Sequence, residues 1–207
     1  ESDQGKFKKA ALEVASYGKA VAEAMGTSLT ALTFKVSDAS ELGNYGVDKV
    51  LNINSTNTFN AKIYADAIKQ AAEKENATVV ILSASADSRY LAPLVSVGLS
   101  AAYVPNVVAT PSNLSPFTVK RTAFTNKAFC NTELSTAIKI IGVSNNSFGL
   151  IENKAAAHIE EFSPSLATSS TSVTSTDKAS DKVTIADAEI VVSAGRGLKG
   201  PENWGMI

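Results

Sequence analysis

The stretch AKIYADAIKQAAEKENATVVIL, residues 61–82, decides the fold. Over 61–75 it sets Ile63 with Tyr64, Ala67 with Ile68 and Ala71 with Ala72 in rows three and four residues apart, which predicts a helix with one inward face. Val79-Val80-Ile81-Leu82 then forms a short unbroken apolar run, the pattern of a strand covered on both faces. Upstream, Phe7, Ala11, Val14, Val21 and Met25 recur at helical steps, and Gly26 is placed to end that helix. SLTALTF (28–34) reads as a buried strand, Gly43-Asn44-Tyr45-Gly46 as a turn, and Lys49–Ile53 as a short strand. Downstream, a third helix is expected over Tyr90–Leu99, with Pro93 tolerated in its first turn. Strands alternating with helices in this way predict right-handed crossovers and a parallel sheet.

After Tyr103 the texture changes. Val107–Thr110, Thr118–Ala123, Lys127–Leu134 and Ala137–Val143 are four short strand candidates, with Thr125-Asn126 as a hairpin turn. The expected class is therefore α/β: a three-layer, Rossmann-like parallel sheet of the adenine-nucleotide-hydrolase-like kind, with an appended antiparallel or mixed β section. Residues 168–176 (TSSTSVTST) are Ser or Thr at eight of nine positions, and 177–181 stay polar. Such a segment buries too little apolar area to offset its ordering entropy and reads as a tether. Beyond it, Ala188–Ser193 reads as a new strand leading into a glycine-rich turn at 195–200. The expected organisation is an α/β domain over 1–167, a linker over 168–182, and the truncated start of a second domain over 183–207.

The balance of charge narrows the function classes. Among 207 residues, 19 Lys and Arg face 20 Asp and Glu, a net charge of −1 with no basic cluster, which argues against nucleic acid as a partner. A single cysteine, Cys130, leaves no internal disulfide, and a single histidine, His158, cannot anchor a His-rich metal site. The longest apolar stretch, 91–104, is too short for a bilayer and is broken by Pro93, Ser96 and Gly98. The polar opening Glu1-Ser2-Asp3-Gln4 does not read as a signal peptide. A reduced, cytoplasmic compartment is expected, or a mitochondrial matrix in a eukaryote.

Few residues offer chemistry. Gly195-x-Gly197-x-x-Gly200 matches a dinucleotide-binding spacing after a strand candidate, where glycines let backbone approach a phosphate; on the motif alone a plain strand-to-loop turn explains it better, and Pro201 follows at once. Arg196, set between two glycines, has a guanidinium free to reach a flat ligand or a phosphate. Asp87-Ser88-Arg89 follows the Val79–Leu82 strand at the carboxyl edge where doubly wound sheets bind ligands, although helix capping by Asp87 or Ser88 accounts for it without one. His158 reads as a surface or capping residue and Cys130 as a small buried hydrophobe. With no GxSxG, Walker A, HExxH or EF-hand pattern, no catalytic or metal-ligating residue is assigned.

The run Val191-Val192-Ser193-Ala194-Gly195-Arg196-Gly197-Leu198-Lys199, followed by Glu202-Asn203, resembles VVSGGRGLKxxENF, the stretch that opens the FAD-binding domain of electron-transfer flavoprotein alpha subunits. Gly5–Lys9 is similar to the family's DGKxKK, Tyr45–Val50 to its YGADKV, Leu91-Ala92-Pro93 to its DLAP, and Arg121 with Lys127-Ala128 to its RPxYxGKA hairpin. Ala194, Trp204 and Asn126 depart from the usual glycine, phenylalanine and glycine, and Ser144–Ser147 stands where an Arg-Pro-Gly run is usual. The resemblance starts after the family's first strand and breaks off early in its flavin domain. It implies an electron carrier rather than an enzyme: the alpha subunit of a heterodimer holding one FAD, with AMP confined to the beta subunit. Electrons would pass from flavoprotein dehydrogenases, such as the acyl-CoA dehydrogenases of fatty acid β-oxidation, to a membrane quinone reductase. Arg196, with Gly195 and Gly197, matches the family's FAD-contacting position, and the rest of the chain would be heterodimer scaffold, without direct membrane insertion. The competing reading is a stand-alone adenine-nucleotide-binding α/β module of the universal-stress type, resting on the parallel sheet and the polar 83–89 loop.

Overall fold

The computed structural model describes residues 1–55, 59–166, 168–175, 185, 188 and 190–206. They divide into two compact units, 1–172 and 173–207. In the first, the short strands β1 (Ser2–Asp3) and β2 (Lys6–Phe7) pair antiparallel ahead of helix α1 (Lys9–Met25). Strands β3 (Thr30–Phe34) and β4 (Lys49–Ile53), helix α2 (Ala61–Lys74), strand β5 (Val79–Ser83) and helix α3 (Ala86–Leu99) follow. Then come β6 (Ala102–Val107), β7 (Asn113–Leu114), β8 (Phe117–Ala123), β9 (Ala128–Leu134), β10 (Lys139–Val143) and β11 (His158–Glu161). Gly26 closes α1 at φ +66°, a left-handed conformation that glycine adopts without a Cβ penalty. Asn60 opens α2, its side chain accepting from the Lys62 and Ile63 N–H groups.

The fold is α/β, as the alternation predicts. β11, β4 and β3 form one parallel group in that order, and β5, β10 and β6 another. β8 joins β6 antiparallel and carries β7 and β9, so the mixed section grows from the edge of the second group. Helices cover both faces. Tyr17 and Val21 of α1 pack with Val104, Val107 and Ile141, whereas Leu91 and Val95 of α3 and Ile68 of α2 pack with Ile140. Ile140 and Ile141 thus point to opposite layers, the two-residue period of a strand buried on both sides.

Several boundaries differ from expectation. Ala137–Val143 is expected in the appended antiparallel or mixed section; its strand, Lys139–Val143, lies parallel between β5 and β6 at the centre of its group, with Ile140 and Ile141 both fully buried. β6 ends where the Val107–Thr110 strand was expected to begin. Pro105 and Asn106, the latter at φ +60°, put a bulge opposite Ile141–Val143, and that break disguises the strand pattern. α3 starts at Ala86 rather than Tyr90, leaving Pro93 in the interior, where it offers no N–H to the Arg89 carbonyl. β11 escapes sequence reading because His158, Ile159 and Glu161 are exposed and alternate with nothing.

Helix α1 is stitched to later segments by three polar side chains. Glu13, only 3% exposed, accepts from the N–H groups of Asn146 (2.7 Å), Phe148 (2.8 Å) and Gly149 (3.0 Å). The Ser16 hydroxyl accepts from Ile151 N–H at 3.0 Å, and the Tyr17 hydroxyl donates to the Ala109 carbonyl at 3.0 Å. Three donors converging on a buried carboxylate make charge-assisted bonds, and removing the acceptor strands all three amides. Glu13→Ala should therefore lower unfolding free energy by about 3 kcal/mol, read from the urea midpoint at unchanged slope, with Glu13→Gln losing less.

Candidate functional site

The carboxyl edge of the strands, where doubly wound sheets bind ligands, is largely occupied by the protein's own groups. After β5, Ser85 caps α3: its hydroxyl accepts from Ser88 N–H at 3.1 Å and donates to the Ser88 hydroxyl at 3.0 Å. The capping residue is therefore Ser85 and not Asp87 or Ser88, which lie inside the first turn of the helix. Ser88 is buried, and Arg89 projects outward. Loss of water raises the Asp87 carboxyl above the usual carboxylate range, helped by the negative Glu1 and opposed by Lys8. After β10, the 144–149 segment is tied to Glu13 as described above. An edge that presents Asp87 and commits its amides and hydroxyls to internal bonds is poorly suited to a phosphate.

The sequence-selected Gly195, Arg196 and Gly197 lie in the second unit. Arg196–Leu198 forms one 3-10 turn, closed by Leu198 N–H to the Gly195 carbonyl at 3.1 Å and Lys199 N–H to the Arg196 carbonyl at 3.1 Å. A second 3-10 segment, Pro201–Met206, folds back so that the Asn203 amide donates to the Leu198 carbonyl at 2.9 Å. Gly195, Arg196 and Gly197 are all exposed, and a Cβ placed on either glycine would meet nothing within 4 Å. The strand expected at Ala188–Ser193 is not formed among its described residues (Glu189 lies outside them), and the described residues of the unit offer no second strand for a ladder. Of the expected 168–182 linker, 176–182 lie outside the described residues. Ser169 and Thr171 accept hydrogen bonds from the Asn60 amide at 3.0 and 3.3 Å.

The other sequence-selected residues fall apart from these. His158 is exposed at the start of β11. Cys130 is half-buried on β9, its thiol directed to the Asn131 carbonyl at 3.4 Å. Arg121 sits opposite Cys130 across the β8–β9 hairpin and donates from Nε to the Thr132 hydroxyl at 3.1 Å. The hairpin turn spans Phe124, Thr125 and Asn126, all at positive φ, and carries the exposed rings of Phe124 and Phe129, with Lys120 Nζ 4.3 Å from the Phe129 centroid. Among the described residues, no group of three or more His, Cys, Asp or Glu could hold a metal ion, and no helix is long and apolar enough to cross a membrane. Sequence reading missed Glu13, whose signal was available as a lone glutamate on the apolar stripe of α1.

A family model described as Electron transfer flavoprotein domain matches residues 1–167. The chain belongs to that family. Over 181 residues, 81% of this chain and 53% of the other, it is 26% identical to the electron transfer flavoprotein subunit alpha of Bacillus subtilis strain 168. It is 27% identical over 135 residues, 64% of this chain and 43% of the other, to the subunit of the same name from Pseudomonas aeruginosa strain PAO1. The chain spans about half the length of the curated relatives it matches. The α/β fold with its mixed section agrees with membership.

At the amino ends of the strands, a charge cluster fixes β11 to β4 and α2. Lys49 Nζ lies 2.8 Å from Glu75 and 2.9 Å from Glu160, and Lys74 Nζ lies 2.7 Å from Glu160. Hydrogen bonds from Lys74, then Lys49, hold the Glu160 carboxyl below its ordinary 4.5, at about 2. A depressed carboxylate contributes stability above its unfolded value and loses it as pH falls through the folded one. Glu160→Gln should therefore flatten the acid limb of stability between about 4.5 and about 2, while Asp87, raised instead, acts in the opposite sense in both proteins. Urea midpoints compared across that range check it.

Proposed function

We propose that this chain is the alpha subunit of an electron-transfer flavoprotein. Residues 1–167 act as the scaffold that docks the beta subunit, 168–182 as a tether, and 183–207 as the opening of the FAD-binding domain. Family membership over 1–167 carries the reading; the Gly195-Arg196-Gly197 turn supports the flavin assignment. Two exposed glycines with nothing near their Cβ positions leave the backbone open to a ligand, and the exposed Arg196 side chain makes no hydrogen bond or ion pair among the described residues. Bound FAD supplies reversible hydride or electron acceptance. Arg196 would hold negative charge at the pyrophosphate or on the reduced isoalloxazine, and Gly195 and Gly197 would let that ligand approach. The hairpin's exposed Phe124 and Phe129 offer apolar area for the beta subunit. Electrons would come from flavoprotein dehydrogenases, acyl-CoA dehydrogenases among them, and leave to a membrane quinone reductase, with AMP held by the beta subunit. A cytoplasmic site in a bacterium, or the matrix in a eukaryote, follows from that role. The universal-stress alternative loses its support at the 83–89 loop, where Ser85 is spent on a helix cap and Asp87 repels phosphate.

Co-production of the full-length gene with its beta subunit should give a yellow heterodimer with flavin absorbance; a colourless, stable heterodimer overturns the proposal. In that complex Arg196→Ala should weaken FAD retention by about 10–100-fold, the worth of a hydrogen bond to a charged group, and lower the flavin midpoint potential, with Arg196→Lys recovering part of the potential. Equilibrium dialysis and a redox titration read both.

A further inference from the structure

The chain leaves the sheet at Phe162. Its N–H donates to the Asn52 carbonyl at 2.9 Å, and Pro164 then biases the backbone before it to an extended course. From there the segment runs back along α2, from the carboxyl end of the helix to its amino end. Glu160 meets Lys74 at 2.7 Å, Ser165 meets Gln70, and Ser169 and Thr171 meet Asn60, the residue that opens the helix. None of the described residues of 163–172 is buried, and even Leu166 keeps part of its surface in water (Ala167 lies outside the described residues). Apolar burial therefore does little to hold the segment, and polar contacts decide its place.

Those contacts are of two kinds. Gln70 grips main chain alone. Its Nε2 donates to the Ser165 carbonyl at 2.7 Å and its Oε1 accepts from the Ser165 N–H at 2.9 Å, the two-bond exchange that a neighbouring antiparallel strand would offer. Asp66, one turn earlier, accepts from the same Nε2 at 3.0 Å and fixes the orientation of the amide. Asn60 grips side chains instead. Its Oδ1 accepts from the Lys62 and Ile63 N–H groups and so caps α2, while its Nδ2 donates to the hydroxyls of Ser169 at 3.0 Å and Thr171 at 3.3 Å. The two hydroxyls lie 2.9 Å apart and Thr171 N–H donates to Ser169 Oγ at 3.2 Å, so together they present one acceptor pair to the Asn60 amide. The Ser/Thr-rich tract that composition assigns to a tether thus starts on α2, and 168–172 fall within the first unit.

We propose that Gln70 and Asn60 form a two-point latch on α2 for the chain's own 163–172 segment, closed in this structure, which opens while the rest of the first unit stays folded. With the latch closed the tether begins at 173. With it open the tether begins at 163, longer by about ten residues, or about 30 Å of extended chain. Local opening follows from the bonds, which are few, polar, at the surface and unsupported by apolar burial; such a segment opens far below the free energy of global unfolding. β11 behind it differs, with a ladder to β4 and with Glu160 held by both Lys49 and Lys74, so opening stops at Phe162. The grips divide the work. Gln70 holds the segment whatever side chain stands at 165, and Asn60, which needs hydroxyls, sets the register. A partner that binds extended Ser/Thr-rich chain competes only with these bonds and draws the latch open. The gain in length rests on the proposed tether; the latch itself does not.

Native-state hydrogen exchange on the 207-residue chain, with urea kept below the unfolding transition, tests the latch. The Ser165 amide should exchange about tenfold or more slowly than in an unstructured chain, at a rate insensitive to urea, because a local opening exposes little surface. The Phe162 amide, bonded to Asn52, is the internal reference and should speed up with urea. Gln70→Ala should bring Ser165 within about twofold of the unstructured rate and leave Phe162 unchanged. An unprotected Ser165 in the unsubstituted chain, a Ser165 that shares the urea dependence of Phe162, or protection that survives Gln70→Ala overturns the proposal. Asn60→Ser keeps a capping hydroxyl for α2 but is too short to reach the segment. Combined with Gln70→Ala, it should raise proteinase K nicking within 163–172 about tenfold, whereas the unsubstituted chain is cut first within 173–182. Should the double variant unfold, Ser169→Ala with Thr171→Val leaves α2 intact and should raise the same nicking. Continued resistance of 163–172 in a folded variant overturns the latch; resistance of 173–182 in every form overturns the tether reading alone.

Discussion

Two parallel strand groups that share no hydrogen-bond ladder among the described residues must be held together by what crosses them, and that constraint organises the amino-terminal unit. α1 is the main tie. Its Leu12 and Ala15 pack with Leu42, Val47 and Val50 near the first group, and its Tyr17 and Val21 with Val104, Val107 and Ile141 of the second. Helix α2 is the other tie, stacking Tyr64 on Phe34 of β3 at 3.9 Å between ring centroids while Ile68 and Ala72 join the cluster around Ile140. Dispersion and burial across helices thus substitute for backbone bonds across the gap. Polar stitches fix the geometry that apolar contact leaves loose. Glu13, Ser16 and Tyr17 lie within five residues of α1 and hold loops that follow β10 and β6, so a small part of one helix sets the positions of segments far along the chain.

What sequence could say about this fold tracks the physics of each element. α1 and α2 were legible because each buries one face at helical period and carries a terminator or cap of its own, Gly26 and Asn60. The strands around Leu32, Leu51 and Ile81 were legible because each is a short apolar run between turn residues. β10 was found, but its role was not: nothing local tells a parallel interior strand from an antiparallel one, since the partners lie at Val80 and Tyr103, far off in sequence. β6 was hidden by Pro105 and by the left-handed Asn106, features that mark a loop until a neighbouring strand shows them to be a bulge. The start of α3 was misplaced because Asp87 and Ser88 are equally good caps on paper; Ser85 prevails only because its hydroxyl reaches Ser88 N–H.

The candidate site was legible in a different way. No periodicity points to Arg196; the resemblance of 191–203 does, and the family match over 1–167 now stands beside it. The backbone sharpens the question of why glycine flanks this arginine. Gly195 sits at φ −76° and neither it nor Gly197 adopts a left-handed conformation, so any residue fits there, and neither glycine is pressed by a neighbour. Local structure therefore gives no reason for two residues that cost conformational entropy on folding. What glycine adds at such positions is only an uncovered backbone, here beside an exposed arginine. On the proposed reading the flavin is what approaches it.

The same reasoning separates the two ends of the chain. At the carboxyl edge of the first unit the groups that could receive a phosphate are already spent: Ser85 on its helix, and the 146–149 amides on Glu13. Asp87 adds negative charge where a nucleotide's phosphates would need positive. An edge in that condition is built for holding its own loops. The 195–197 turn is the reverse, with its polar groups outward and its small residues unpacked. On the proposed reading, in which 195–197 meets the flavin and 1–167 meets the beta subunit, such a division lets each surface be optimised without unsettling the other.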